Sequence, residues 1–169
     1  MAIINIEIKA KAINHNEIRN ILKSKNAEFK GVDHQIDTYF NLNSGRLKLR
    51  EGKIENNLIY YNREDKEGPK QSNISLFKNI PNSSLKEVLT KALGILIVVD
   101  KQREIYFIDN VKFHLDTVKN LGTFVEIEAI DKQGNIGKDK LHEQCLFFLN
   151  LFKISQEDLI SVSYSDLLK

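Results

Sequence analysis

Isoleucine or alanine fills every even position from Ile4 to Ala10, and Asn5, Glu7, Lys9 and Lys11 fill the odd ones. Side chains of a β-strand point alternately to opposite faces, so this stretch specifies one apolar face and one charged face. The alternation recurs along most of the chain. In GRLKLRE, Leu47 and Leu49 oppose Arg46, Lys48 and Arg50; in TFVEIEAI, Val125, Ile127 and Ala129 oppose Glu126 and Glu128. Lys101 and Arg103 share a face in VDKQREIY, Arg63 shares one with Tyr61, and His114 and Asp116 share one in KFHLDTV.

Period-two segments near 3–11, 28–41, 45–52, 57–64, 72–78, 95–108, 111–118 and 122–131 predict eight strands. Three helical segments interrupt them. In the first, INHNEIRNILKSK, Ile18, Ile21 and Leu22 lie on one side; Asn14 with Glu17 predicts a capping box, and Ile13 with Ile18 a hydrophobic staple. In the second, PNSSLKEVLTKALG, Ser84 with Glu87 predicts another box. Leu85, Val88, Leu89 and Ala92 form its stripe, and Gly94 ends it. The third, about 137–152, carries Leu141, Cys145, Phe148 and Phe152 at core spacing. Sequential strands with few helices predict an α+β fold, an eight-stranded antiparallel β-barrel with about three helices packed outside, since closure removes edge strands.

At 169 residues, with 41% hydrophobic and 28% charged content, the chain is expected to form one domain over 1–169. A net charge of +2 gives no argument for nucleic acid or membrane on bulk charge. Cys145 is the single cysteine, which excludes an intrachain disulfide and the usual zinc spacings. With no apolar run of membrane-spanning length, the expected location is cytoplasmic.

For any one strand, the ordinary account of the charged face is solvated surface. Together the strands point elsewhere. Basic and acidic faces are segregated by strand, whereas solvated sheets intersperse signs because like charges facing across strands repel. If the apolar faces pack outward against the helices, the charged faces line a tunnel. About eight cations and four carboxylates in such a lumen would be costly without water, metal and a polyanionic ligand. Phosphate fits: lysine and arginine clasp phosphoryl oxygens, and carboxylates hold a bridging divalent cation.

The ordered set NIEIK, GRLKLRE, DKQRE, HLDTVKNLGTFVEIE and SYSDLL resembles the CYTH superfamily of triphosphate tunnel metalloenzymes, over nearly the whole chain. That superfamily includes class IV adenylyl cyclases, thiamine triphosphatases and inorganic triphosphatases, built on an eight-stranded tunnel barrel. The resemblance implies a divalent-metal-dependent enzyme, using Mg²⁺ or Mn²⁺, that cyclises ATP or hydrolyses a triphosphate-containing small molecule. It implies Glu7, Glu126, Glu128, Asp116 and Asn5 around the metal. It implies Lys9, Lys11, Arg46, Lys48, Arg50, Arg63, Lys101 and Arg103 on the triphosphate, with Lys9, Arg103 and Asp116 nearest the chemistry.

The family's ExExK opens with glutamate where this chain has Asn5. An amide oxygen still ligates a hard cation but adds no charge, so metal affinity at that position should fall. This departure leaves a second reading, a nucleotide or polyphosphate sensor with little turnover. His114 reads as a structural hydrogen-bonding group. His34, Asp37 and Tyr39 read as strand packing, His15 and His142 as helix surface, and Cys145 as core. Lys66 and Lys70 fall in a polar segment read as a solvated loop.

Overall fold

The computed structural model describes residues 2–169. It shows eight strands, β1 (Ala2–Lys11), β2 (Glu28–Phe40), β3 (Arg46–Glu51), β4 (Asn56–Arg63), β5 (Lys70–Lys78), β6 (Ile95–Ile108), β7 (Val111–Val118) and β8 (Gly122–Asp131). They close into an antiparallel barrel in the order β1-β5-β4-β3-β2-β6-β7-β8. The helices are α1 (His15–Ser24), α2 (Leu85–Leu93), α3 (Lys138–Leu151) and a short C-terminal α4 (Tyr164–Leu167). The expected α+β barrel is therefore the observed one, with α4 added. No helix among the described residues is long and apolar enough to cross a membrane.

The main hydrophobic core lies outside the barrel. Ile6, Ile8 and Ala10 of β1, Phe113 and Leu115 of β7, and Val125, Ile127 and Ala129 of β8 turn outward. Ile18 and Leu22 of α1, with Leu141, Cys145 and Phe148 of α3, cover them. Phe113 meets Phe148 edge-on, with ring centroids 4.7 Å apart. Each buried isoleucine, leucine, valine or phenylalanine among them contributes roughly 1.5–3 kcal/mol. That outward commitment leaves Asn5, Glu7 and Lys9 facing the lumen, because alternate residues cannot share a face.

A second apolar cluster fills one end of the lumen. Tyr39, Ile59, Tyr61, Val99, Val118 and Phe124 converge there on Ile160 and Tyr164 of the C-terminal segment. The Ile160 N–H donates to the Lys9 carbonyl at 2.9 Å. Arg46 donates to Asp166 at 2.8 Å, and the Lys70 ammonium donates to the Ser161 carbonyl at 2.8 Å. Lys70 is thus buried on β5 instead of sitting in a solvated loop, because the C-terminal segment covers it.

Several local expectations fail. Ile13 is 99% exposed, so no staple forms with Ile18. Asn14 and Ser84 make no side-chain cap to the backbone; Asn14 donates to the Glu17 side chain, and Glu87 pairs with Lys91 one turn on. The capping box that does form joins Ser163 and Asp166 at the start of α4. Helix α2 buries none of its residues, and Val88 is 57% exposed. It packs against β2, where Leu85, Leu89 and Leu93 are only half-buried, and Lys86 pairs with Glu51 at 3.2 Å.

The two halves differ in energetic weight. Phe113→Ala is expected to destabilise by about 3–5 kcal/mol, whereas Val88→Ala should stay within roughly 0.5 kcal/mol of wild type. Chemical denaturation measures both, and comparable losses would place core packing on both sides of the barrel.

Candidate functional site

Strand register assembles the lumen. On β1 and β8, Glu7 stands opposite Glu128 and Lys9 opposite Glu126. On β8 and β7, Glu126 stands opposite His114 and Glu128 opposite Lys112. Residues directly opposite on an antiparallel pair share a face. Three strands therefore bring three carboxylates, an imidazole and two ammonium groups onto one inner wall.

The opposite wall is cationic and is organised by Asp37. Arg50 donates to both Asp37 oxygens at 2.9 Å, Lys101 reaches Oδ2 at 2.7 Å, and Lys48 reaches it at 3.1 Å. Burial alone would raise this carboxyl, but Arg50, Lys101 and Lys48 outweigh it and hold Asp37 well below the usual carboxylate range. Burial, with Arg50 and Arg103 adding to it, pushes Lys101 well below an ordinary lysine despite Asp37. Asp37 is therefore the counter-ion of the cationic wall, where strand packing alone was expected.

Both walls face a cavity of about 210 Å³, room for roughly seven waters at about 30 Å³ each. Eight basic side chains line it: Lys9, Lys48, Arg50, Arg63, Lys101, Arg103, Lys112 and Lys132. Four carboxylates join them, Glu7, Glu55, Glu126 and Glu128. The balance matches the sequence expectation, but the membership differs. Lys11 is exposed at the end of β1 and does not line the cavity. Arg46 lies beyond the aromatic plug, paired with Asp65 and Asp166. Asp116 is fully buried, with both oxygens taking Arg103 at 2.7 and 2.6 Å and Oδ2 also accepting from the Tyr164 hydroxyl at 2.7 Å. It stands outside the cavity lining and aims Arg103, in place of the expected position at the metal.

Lys112, Lys132 and Glu55 take their places in the lining, and Tyr164 joins them. Lys112 was findable, since it shares the inward parity of His114 and Asp116. Glu55 was not, because it sits in a turn. The Asp33 carboxylate accepts the N–H groups of Lys53, Ile54 and Glu55 at 2.8–3.0 Å, which fixes that turn. Glu55 then pairs with Arg50 at 3.1 Å and with Lys112. Tyr164 reaches the lumen from the C-terminal helix, with the Lys9 ammonium 3.9 Å above its ring.

The acidic wall contains a set of donors suited to a divalent cation. One ligand atom from each of His114, Glu126 and Glu128 falls within 4.8 Å of the others. Glu7 is paired with Arg63, and Glu126 is shared by Arg103 at 3.3 Å and Lys9 at 3.6 Å. Among the described residues Glu128 has no lysine or arginine within salt-bridge distance, and its one such neighbour is the His114 imidazole at 3.7 Å. Burial raises its carboxyl to about 7, Lys112 opposes this, and Glu7 and Glu126 add to it. Burial, Arg103 and Lys112 hold the His114 imidazole down at about 3, leaving it neutral. Asn5, 2% exposed, points its Nδ2 at Glu128 Oε2 across 3.4 Å and leaves its own Oδ1 without a partner. A neutral imidazole, two carboxylates and an orphaned amide oxygen fit a hard or borderline divalent ion.

Removing the charge of Asp37 in Asp37→Asn leaves three buried cations unbalanced and is expected to cost about 3–5 kcal/mol in denaturant unfolding. A loss under about 1 kcal/mol would mean that water balances the wall. Glu128 gives a pH signature. Its folded pKa lies above that of an unfolded glutamate, so the stability it permits is full below about pH 4.5 and is lost as pH rises through about 7. In metal-free buffer, Glu128→Gln should raise unfolding stability at pH 8 by roughly 1–3 kcal/mol, with the difference vanishing near pH 4. A pH-independent difference would contradict this.

Residues 4–164 match the family model for the CYTH domain. A provisionally named adenylate cyclase from Methanocaldococcus jannaschii is 29% identical, covering 97% of this chain and 98% of that protein. Among solved structures, the PH1012 protein of Pyrococcus horikoshii superposes with a TM-score of 0.81 at 24% identity, covering 96% of this chain and 98% of that one. A Hippeastrum protein, provisionally named an adenylyl cyclase and described with a dominant triphosphatase activity, gives 0.63 at 13% identity, over 98% of this chain and 93% of that one. The structural likenesses speak for the barrel, and the family match spans every strand that contributes to the lumen. The chain belongs to the CYTH domain family.

Proposed function

We propose that this protein is a divalent-metal-dependent enzyme acting on the phosphoanhydride chain of a triphosphate-containing small molecule. The observation that carries the reading is the lumen, which eight basic side chains and four carboxylates line and whose acidic wall bears the His114, Glu126 and Glu128 donors. Such an excess of positive charge around one cavity is best relieved by a polyanion.

The residues divide the work. Lys48, Arg50 and Lys101 hold one stretch of the phosphate chain, and Asp37 fixes their spacing before the ligand arrives. Arg103, clamped by Asp116, points its guanidinium between the two walls. Lys9 and Arg63 receive phosphoryl oxygens on the acidic side, and their carboxylate partners exchange for the incoming ligand. Glu126, Glu128, His114 and Asn5 would hold Mg²⁺ or Mn²⁺, which neutralises charge on the phosphoryl oxygens when bound. The cavity is smaller than the roughly 300–1,000 Å³ that encloses a whole drug-sized ligand. The phosphates therefore occupy the lumen, and any organic group sits toward the mouth formed by Ile3, Leu76, Phe107 and Ile130.

Attack by water on the terminal phosphorus gives hydrolysis, and attack by a ribose hydroxyl on the α-phosphorus gives a cyclic nucleotide and pyrophosphate. The names borne by the relatives support both. Asn5 favours a second reading, a polyphosphate or nucleotide sensor. It donates to Glu128 where a further carboxylate would strengthen the metal site.

Pure protein incubated with ATP, thiamine triphosphate or inorganic triphosphate, with Mg²⁺ or Mn²⁺, separates the readings by products. Phosphate release marks hydrolysis, cyclic AMP with pyrophosphate marks cyclisation, and tight binding without release marks the sensor. Glu126→Ala is expected to abolish metal-dependent release while the protein stays folded. Undiminished release would remove Glu126 from the site.

A further inference from the structure

His114 places a nitrogen in a site otherwise made of oxygens. Its side chain is 1% exposed and lies on the inner face of β7, opposite Glu126. Nδ1 stands 3.3 Å from Glu126 Oε2 and 3.7 Å from Glu128 Oε1. As hydrogen bonds these contacts are poor, since the first is long and the second is too long. As an edge of a coordination polyhedron the first fits, because ligands held about 2.1 Å from one ion stand roughly 3.0–3.4 Å apart, and the second lies just beyond that spacing.

The rest of Glu126 is arranged to leave this edge free. Lys9 and Arg103 both approach Oε1, so Oε2 faces the imidazole. An independent sign of an absent ligand comes from Asn5. Its Oδ1 is buried without a partner, while its Nδ2 lies a loose 3.4 Å from Glu128. A half-turn of the amide brings Oδ1 toward that carboxylate, an arrangement that is favourable only with a cation between them.

We propose that His114 is a direct ligand, through Nδ1, of the divalent cation held by Glu126 and Glu128, and that it turns this site toward borderline cations such as Co²⁺ and away from Mg²⁺. The inference rests on the metal-dependent reading of the lumen and extends it. Mg²⁺ demands near-ideal octahedral oxygen ligation, and it loses most when a carboxylate is replaced by the neutral Asn5. Imidazole suits borderline ions and returns part of their affinity without needing charge.

The test needs no substrate. Calorimetric titration of the wild-type protein and His114→Gln with Co²⁺ and with Mg²⁺ compares two chemistries at one site. His114→Gln is expected to weaken Co²⁺ binding by roughly tenfold or more and Mg²⁺ binding by much less. Equal losses for both ions, or none for either, would overturn the assignment. Because the variant could disturb β7, pulsed paramagnetic resonance of Mn²⁺ bound to the wild-type protein provides a second measurement. Coupling to a directly bound histidine nitrogen, identified by ¹⁵N-histidine labelling, is expected, and its absence with Mn²⁺ bound refutes the assignment while sparing the metal reading. If the wild-type protein binds no divalent cation, both fall.

Discussion

Asp37 has to hold Arg50, Lys101 and Lys48 together in the interior of a barrel, where screening is far weaker than in bulk water. Desolvation penalises every one of these charges, and the cations repel each other as well. A single carboxylate with both oxygens occupied makes the arrangement stable enough to fold, and Asp116 does the same for Arg103. These two acids are spent on the protein's own cations. The net positive charge that remains facing the cavity is what the fold offers to a ligand.

That constraint explains why the barrel is inside out relative to a small packed one. Filling the lumen with aliphatic side chains would be cheaper, so its charge needs a compensating source of stability. The source is the outer face of β1, β7 and β8, where α1 and α3 bury a continuous apolar layer. The aromatic plug adds a second, smaller layer at one end, with Tyr39, Tyr61 and Tyr164 giving apolar surface to the barrel and polar edges to the cavity. Helix α2, packed against β2, buries none of its own residues and adds little to this layer.

The C-terminal segment belongs to the site as much as to the scaffold. Ile160 pairs with the end of β1, Lys70 caps the carbonyls that follow, and Arg46 fixes Asp166. With those contacts made, Tyr164 lies beneath the Lys9 ammonium of β1 and donates to Asp116 of β7, which in turn holds Arg103 of β6. The plug thus ties Lys9 to the Asp116–Arg103 pair through one phenol.

Eight strands, their limits to within two residues, and the segregation of charged from apolar faces follow from the sequence, because alternation at period two is a local property of the backbone. Glu7, Lys9, Lys48, Arg50, Lys101, Arg103, Glu126 and Glu128 are legible in the same way once the charged face is taken as the inner one. Depth along the barrel is a different matter. Lys11 and Arg46 have the correct parity and still miss the cavity, since register and the C-terminal plug determine which rung of each strand reaches it. Asp37 and Asp116 carry no local mark of being counter-ions, and Glu55 enters only through a turn tied by Asp33 from another strand. Local alternation decided which way each side chain points. Strand pairing and the long-range burial of charge decided what it meets there, because those energies depend on neighbours that the chain brings together only by closing.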